Sequence, residues 1–359
     1  MKQKYSFMSI LRVLSMVSIV FYHMLITLYI YGIRQLDSIS IFFENANMHI
    51  AKVGVCLFFM LSGAGLMLSS KDQAFSLKDF YFKRFKKILI PFYVVYVCYF
   101  TFLVITHHIL LSNPFEGKEL KPYSFIFSLL GMDAYLENFG IPTCSLGIGE
   151  WFLGCLMLIY IVYPILRACM LKNKYITILI ATIYYVLMNV FYSNIQIFKN
   201  VPMYTNAAIK IYDFILGMFL VLVLESIPKF IYYIAFIFNL FFIVYPDTLP
   251  GVDSFQIPIH GLLAFLIFAY FEKIFNKHPK VIRGFDILAS YSYEYFLIHH
   301  FVIHHLSKIG QNTEFGNPKL LILFGGEILL TTILTIILKK IVALIYQPME
   351  RISRKNKAN

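Results

Sequence analysis

The sequence predicts an all-α protein, a polytopic transmembrane helical bundle of about ten spans with both termini in the cytoplasm. Three observations carry that prediction. Of 359 residues, 59% are hydrophobic and only 14% charged, against about 25% charged in soluble globular chains, so the polar surface cannot face water all round. Many apolar runs approach the twenty or so residues that cross a bilayer. The basic residues fall between those runs, where they act as determinants of topology.

The runs follow in order. The first, 8–31, is apolar apart from Arg12 and His23, and the second, 50–69, closes on "FFMLSGAGLMLSS". Residues 70–87 form a Lys- and aromatic-rich connector, expected to be an amphipathic helix at the cytoplasmic interface. The third run is 88–111, with Pro91 placed to break or kink it. A long outer loop, 112–149, brings Glu116, Glu119, Asp133 and Glu137 beside Tyr123 and Tyr135, and loops of this length are commonly functional. Further spans are expected at 150–168, 174–194, 207–226, 230–246, 256–274, 287–306 and 319–346. Asp213, Glu294 and Glu327 then lie inside the membrane, and each needs a partner or a water-filled cavity. With the N-terminus inside, 22 of the 31 basic residues fall on the inner side, which sets both termini there. No repeat or soluble domain interrupts residues 1–359, so the chain reads as one transmembrane domain.

Composition excludes other classes. The net charge of +12 is dispersed rather than gathered in a patch, which argues against nucleic acid. Five cysteines without motif spacing give neither a disulfide framework nor a zinc site. The first run lacks a small-residue cleavage site and continues as a full span, so no cleavable signal peptide is expected.

Five stretches carry candidate chemistry. In the first, "RVLSMVSIVFYHM", Arg12 and His23 are eleven positions apart. At about 100° and 1.5 Å per residue they share one helix face, about 16 Å apart along the axis. Singly, Arg12 reads as a snorkelling cation and His23 as a core histidine; jointly they outline a path for a long ligand with one charged and one reactive end. In the second stretch Gly63 and Gly65 allow close helix approach, and Ser62 can hydrogen-bond a neighbouring helix or a substrate. In "FYFKRFKKILIPFY", Arg84 and Lys87 share a helix face with Lys83 and Lys86 nearby, suiting lipid headgroups or a clamp for anionic phosphates. The fourth, "GEWFLGCLMLIYIVYP", opens on the single tryptophan, Trp151, at an interface where tryptophans anchor. The fifth, "SYSYEYFLIHHFVIHH", holds His300 and His304 at a four-residue spacing that can bind metal, but no companion ligand pattern supports one, and no metal is expected. Interfacial placement explains His304 and His305, whereas His299 lies deeper.

In this order the five stretches resemble the acyltransferase 3 family of integral membrane acyltransferases, over nearly the whole chain. The family carries Arg or Lys, ten residues, then His in its first span, matched by Arg12 and His23. Its "FF-x-x-SG" resembles Phe58, Phe59, Ser62 and Gly63, and its "R-x-x-R-I-x-x-P" resembles Arg84 to Pro91 with Lys87 for the second arginine. A Trp-initiated span ending in Tyr and Pro corresponds to Trp151, Tyr160 and Pro164. The late "S-Y-x-x-Y-L-x-H" resembles Ser292, Tyr293, Leu297 and His299, with Phe296 for the second tyrosine. Two departures stand out: Lys87 lacks arginine's bidentate fork, and Leu156 occupies the position where some members have Glu, while Glu150 precedes the tryptophan instead. No appended extracytoplasmic hydrolase-like domain, such as some longer members carry, is expected.

The resemblance implies transfer of an acyl group, usually acetyl, from cytoplasmic acetyl-CoA to a sugar hydroxyl of a surface polysaccharide, a lipid-linked oligosaccharide or peptidoglycan. The enzyme would sit among the lipids of a bacterial plasma membrane. Arg12, Arg84 and Lys87 would hold the cofactor's phosphates. His23, with Arg12, would be catalytic, His23 serving as general base or as a transient acyl-histidine. Ser62, Trp151, Tyr160 and His299 would position substrate or support the oxyanion. A flippase, exporter or polymerase of a lipid-linked glycan is the rival class, and a histidine-based pH sensor a third. A transporter commonly shows paired or inverted halves, and none is found.

Overall fold

A helix covers each of the ten apolar runs in the computed structural model, which describes residues 5–33, 47–106, 119–245 and 255–358. The helices are α1 (Ser6–Ile30), α2 (Asn47–Ser70), α3 (Leu77–Thr106), the short α4 (Ser124–Leu129) and α5 (Asp133–Glu137), α6 (Glu150–Lys172), α7 (Lys174–Phe191), α8 (Ala207–Val223), α9 (Lys229–Val244), α10 (Ile257–Tyr270), the short α11 (Glu272–Phe275), α12 (Pro279–Ile309) and α13 (Asn317–Ala358). No strand occurs among the described residues. Seven helices are long and apolar enough to cross a membrane (α1, α2, α3, α6, α7, α8 and α13), and α9 and α10 are shorter apolar helices. Helix α12 belongs to neither group; its four histidines, three tyrosines and Glu294 suit a helix that turns one face to a polar interior.

Lys2, Lys4, residues 107–111 of the third expected run and residues 112–118 of the outer loop, Glu116 included, lie outside the described residues. Two local expectations need correction. The connector is not a separate helix: after a turn at residues 71–73, α3 starts at Leu77 and continues through Pro91 as one element. A proline there withholds a single N–H from the Lys87 carbonyl, which a membrane helix tolerates when its neighbours satisfy the freed group. The outer loop is also partly helical, and α5 is pressed onto α6 with Asp133 and Tyr135 buried.

Seven helices close a ring. α1 packs on α2, α2 on α8, α8 on α6, α6 on α3, α3 on α13, α13 on α12, and α12 back on α1. The tightest seam is α2 with α8. A methyl built on Gly63 would overlap the Phe214 carbonyl, and one on Gly217 would overlap the Met60 carbonyl, so the two backbones touch where glycines permit it. Gly65, expected to allow close helix approach, instead borders the interior of the ring. Helices α7, α9 and α10 flank the ring on the outside, and α7 and α9 turn Leu179, Ile183, Leu187, Phe236 and Ile237 outward as an exposed apolar surface.

The ends are fixed by polar caps. The Ser6 and Phe7 N–H groups donate to the Glu272 carboxylate at 2.8 and 2.9 Å, so an anion from α11 satisfies two orphan donors at the positive end of α1. Asn206 caps α8 by accepting from the Ala208 N–H at 2.9 Å, and the Asn173 side chain accepts from Tyr175 and Ile176 at the start of α7. The three acids expected inside the membrane find surroundings that fit them. Lys210 pairs with Asp213 at 3.0 Å, Ser307 donates to Glu327 at 2.9 Å, and Glu294 borders the interior cavity.

Candidate active site

The ring encloses a cavity of about 900 Å³, at the large end of what ligand pockets reach. Seven of the eight residues singled out in the sequence line it: Arg12, His23, Ser62, Arg84, Lys87, Trp151 and Tyr160. The eighth, His299, is fully buried directly behind His23, their ring centroids 5.3 Å apart. The shared helix face of Arg12 and His23 is thus the cavity-facing side of α1.

The two ends of the cavity differ in chemistry. At one end Lys87 lies within electrostatic range of Arg84, Arg12 and Lys339, and Glu294 is the acid among them. Four cations from α1, α3 and α13 against one carboxylate make an anion-binding surface. Lys339 is tied in place by hydrogen bonds to Ser290 O at 2.5 Å and Ser290 Oγ at 2.8 Å, and it lies 3.7 Å from the Tyr291 ring centroid.

The other end is built on histidines and aromatics. The rings of His23 and His300 stand 4.0 Å apart, edge to face, and those of His299 and His300 4.3 Å. Glu150 Oε1 lies 4.0 Å from His23 Nε2 and in direct contact with His300 Nε2. His299 Nδ1–H donates to the Phe296 carbonyl at 2.7 Å. Trp151 stacks on Phe59 and meets Tyr204 edge to face, while Lys52 lies over the Tyr204 ring. Between the two ends, Ser62 Oγ and Tyr160 OH share a hydrogen bond of 2.6 Å, leaving a hydroxyl pair on the wall able to donate to a ligand oxygen.

Outside the spans, Asp133 sits behind the site in α5. Burial pushes its carboxyl up to about 7, opposed by the hydrogen bond from the Ala134 N–H and reinforced by Glu137. The Tyr135 hydroxyl beside it is raised by burial and donates to Asn206 Oδ1 at 3.4 Å, linking α5 to the N-terminus of α8.

Sequence reasoning missed Glu150, His300, Lys210 and Lys339 as site residues. Glu150 was visible but without an assigned partner, and His300 was weighed only with His304. The structure separates that pair, because the His304 ring bonds the Tyr31 hydroxyl while His300 meets Glu150. One signal is backbone geometry: Gly149 has φ +72°, and Glu150, a non-glycine, has φ +43°. Such a conformation costs on the order of 1–3 kcal/mol and tends to persist where a side chain must be aimed.

Two comparisons bear on this arrangement. A family model described as an acyltransferase domain, Acyl_transf_3, matches residues 5–340. The peptidoglycan O-acetyltransferase OatA of Listeria monocytogenes serovar 1/2a is 27% identical over 157 residues, which are 39% of this chain and 24% of that protein. The chain therefore matches about a quarter of that relative's length. No solved structure matches.

Proposed function

The chain belongs to the acyltransferase 3 family, and from that premise we propose that it moves an acyl group, acetyl in the simplest case, from cytoplasmic acyl-CoA to a sugar hydroxyl of an extracytoplasmic or lipid-linked polysaccharide. The observation that carries this reading is the polarity of this cavity: clustered cations at one end, His23 with its histidine and carboxylate neighbours at the other. Acyl-CoA is a long molecule with phosphates at its nucleotide end and a thioester at the opposite tip. Arg12, Arg84, Lys87 and Lys339 suit the phosphates, and the pantetheine arm runs along α1 toward His23. The ten helices act as ten spans, with both termini and the cationic end of the cavity on the cytoplasmic side of a bacterial plasma membrane, as the distribution of basic residues favours.

At the far tip His23 takes the proton from the acceptor hydroxyl as its oxygen attacks the thioester carbonyl. The tetrahedral intermediate collapses by breaking the C–S bond, and the proton passes from His23 to the departing thiolate. The Ser62–Tyr160 pair, ten positions or about 15 Å along α6 from Glu150, offers its hydrogen bonds to the pantetheine arm on its way to that tip. Trp151 and Tyr204 offer apolar ring faces for a sugar, beside Glu150 and Lys52 for its hydroxyls. The name of the similar protein makes peptidoglycan one acceptor to test, along with surface polysaccharide and lipid-linked repeat units.

The test uses washed membranes containing the chain, radiolabelled acetyl-CoA and extracted host glycan, with the unaltered protein and His23→Ala at equal membrane levels. Label should reach the glycan with the unaltered chain and fall by about 10²- to 10⁴-fold in the variant, the usual contribution of a general base. Undiminished transfer in His23→Ala would move the base elsewhere. Failure with every acyl donor and acceptor tried would favour a glycan flippase or polymerase.

A further inference from the structure

The histidine end of the cavity holds more ligating atoms than proton transfer requires. One ring nitrogen from each of His23, His299 and His300 lies within 4.8 Å of the others, and among the described residues this is the cluster suited to a metal ion. A carboxylate completes the set, with Glu150 Oε1 touching His300 Nε2 and 4.0 Å from His23 Nε2. The four residues come from α1, α6 and α12, so the site exists only in the assembled ring.

A second observation points to a cation independently. Because His299 Nδ1–H donates to the Phe296 carbonyl, its Nε2 carries a lone pair. That nitrogen is completely buried, faces the other two histidines and has no hydrogen-bond donor. A backbone carbonyl on the far nitrogen is the usual way a metal-binding imidazole is oriented. A hydrogen-bonded relay leaves this lone pair unanswered, whereas a cation answers all three nitrogens and the carboxylate at once. For bonds of about 2.0–2.1 Å in a tetrahedron the ligand atoms stand about 3.3 Å apart, so the nitrogens need to close by at most about 1.5 Å. Three imidazoles and one carboxylate select zinc or a neighbouring late first-row ion over magnesium or calcium.

We propose that His23, His299, His300 and Glu150 form a binding site for a zinc-type divalent cation, and that its occupancy switches acyl transfer off. The binding half stands on the geometry alone. The inhibitory half rests on His23 being the base, since a coordinated nitrogen cannot accept the acceptor's proton.

The test takes the untagged, detergent-purified full chain, stripped with chelator and titrated with Co²⁺ as a spectroscopic probe, then with Zn²⁺. The expected result is one Co²⁺ per chain with the visible absorption of a four-coordinate nitrogen–oxygen site, displaced by one equivalent of Zn²⁺. His299→Ala and His300→Ala should lose that spectrum while keeping the unaltered chain's circular dichroism. His304→Ala, on the same helix and bonded to Tyr31, should retain it. Glu150→Gln, which keeps its shape if an alanine variant fails to fold, should weaken binding at least tenfold. In the membrane assay Zn²⁺ should abolish transfer and chelator should restore it. Absence of stoichiometric binding, or binding that survives both His299→Ala and His300→Ala, would overturn the site and leave a plain Glu150–His300 pair. Binding without inhibition would remove the switch, and binding by a chain that transfers no acyl group would separate the site from the acyltransferase reading.

Discussion

Lys210 and Asp213 form an ion pair one helical turn apart in α8, at 3.0 Å, with 3% and 1% of their surfaces exposed. At an effective dielectric of ~20 two charges at that distance attract by roughly 5 kcal/mol. Most of that attraction offsets the cost of removing both from water, so the pair itself contributes little net stability. Removing one partner is a different matter, because it strands the other charge. Lys210→Met strands the buried Asp213 carboxylate without its 3.0 Å partner, and Asp213→Leu leaves a buried ammonium without its counter-ion. Each single variant should lose about 3–5 kcal/mol, whereas the double variant Lys210→Met/Asp213→Leu should lose far less than the sum, and less than either single change. Detergent-purified chains would be unfolded in an equilibrium SDS titration, followed by the fluorescence of Trp151, the single tryptophan. Strictly additive losses, or single variants within about 0.5 kcal/mol of the unaltered chain, would refute the reasoning. Lys210 also lines the cavity, so the double variant further reports whether that cation serves the ligand once stability is preserved.

Three further outcomes are expected. Gly63→Ala should sharply lower the yield of folded protein, because its methyl meets the Phe214 carbonyl, while Gly65→Ala, whose methyl would find only Met8 Cε at 4.0 Å, should be recovered normally in detergent size-exclusion profiles. Arg84→Ala should raise the KM for acyl-CoA by about 10- to 100-fold with a smaller change in kcat, as expected for a lost charged hydrogen bond of about 1.5–3 kcal/mol to the bound cofactor. The folded Asp133 carboxyl holds its proton up to about 7, above its ordinary 3.8, so stability from this residue is fully present below about pH 4 and is lost as the pH rises through 7. Asp133→Asn should remove that decline, on the order of 4 kcal/mol across the window, and melting curves at pH 4.5 and 7.5 read it directly.

The sequence made the helices legible because apolar runs of bilayer length have few other solutions. Part of the site was legible for the same reason: Arg12 and His23 sit on one helix, where 3.6-residue geometry fixes their common face without knowledge of any neighbour. Motif order then brought Ser62, Arg84, Lys87, Trp151 and Tyr160 to one cavity. The missed residues share a different character. Lys339 looked like one more cytoplasmic charge, and only the packing of α13 on α3 and α12 turns it inward. Glu150 and His300 acquire meaning from each other across 150 positions, and no local period encodes that contact. The continuity of α3 through Pro91 was likewise a tertiary result, since proline's local preference pointed to a break.

The ring closes between its first helix and its twelfth, and this sets an order of events during synthesis. His23 leaves the ribosome 276 residues ahead of His299, and the Glu272 carboxylate that caps α1 follows Ser6 by 266 positions. At about 5–20 residues per second, α1 waits roughly 14–55 s in the bilayer with its N-terminal amides uncapped by the rest of the chain and its histidine without neighbours. Throughout that interval the histidine end of the cavity lacks both His299 and His300. Translation through α13, which joins α12 to α3 and brings Lys339 to the cavity, is therefore the moment at which the ring can first be complete, and a chain cut short before that point leaves behind separate helices with no enclosed site.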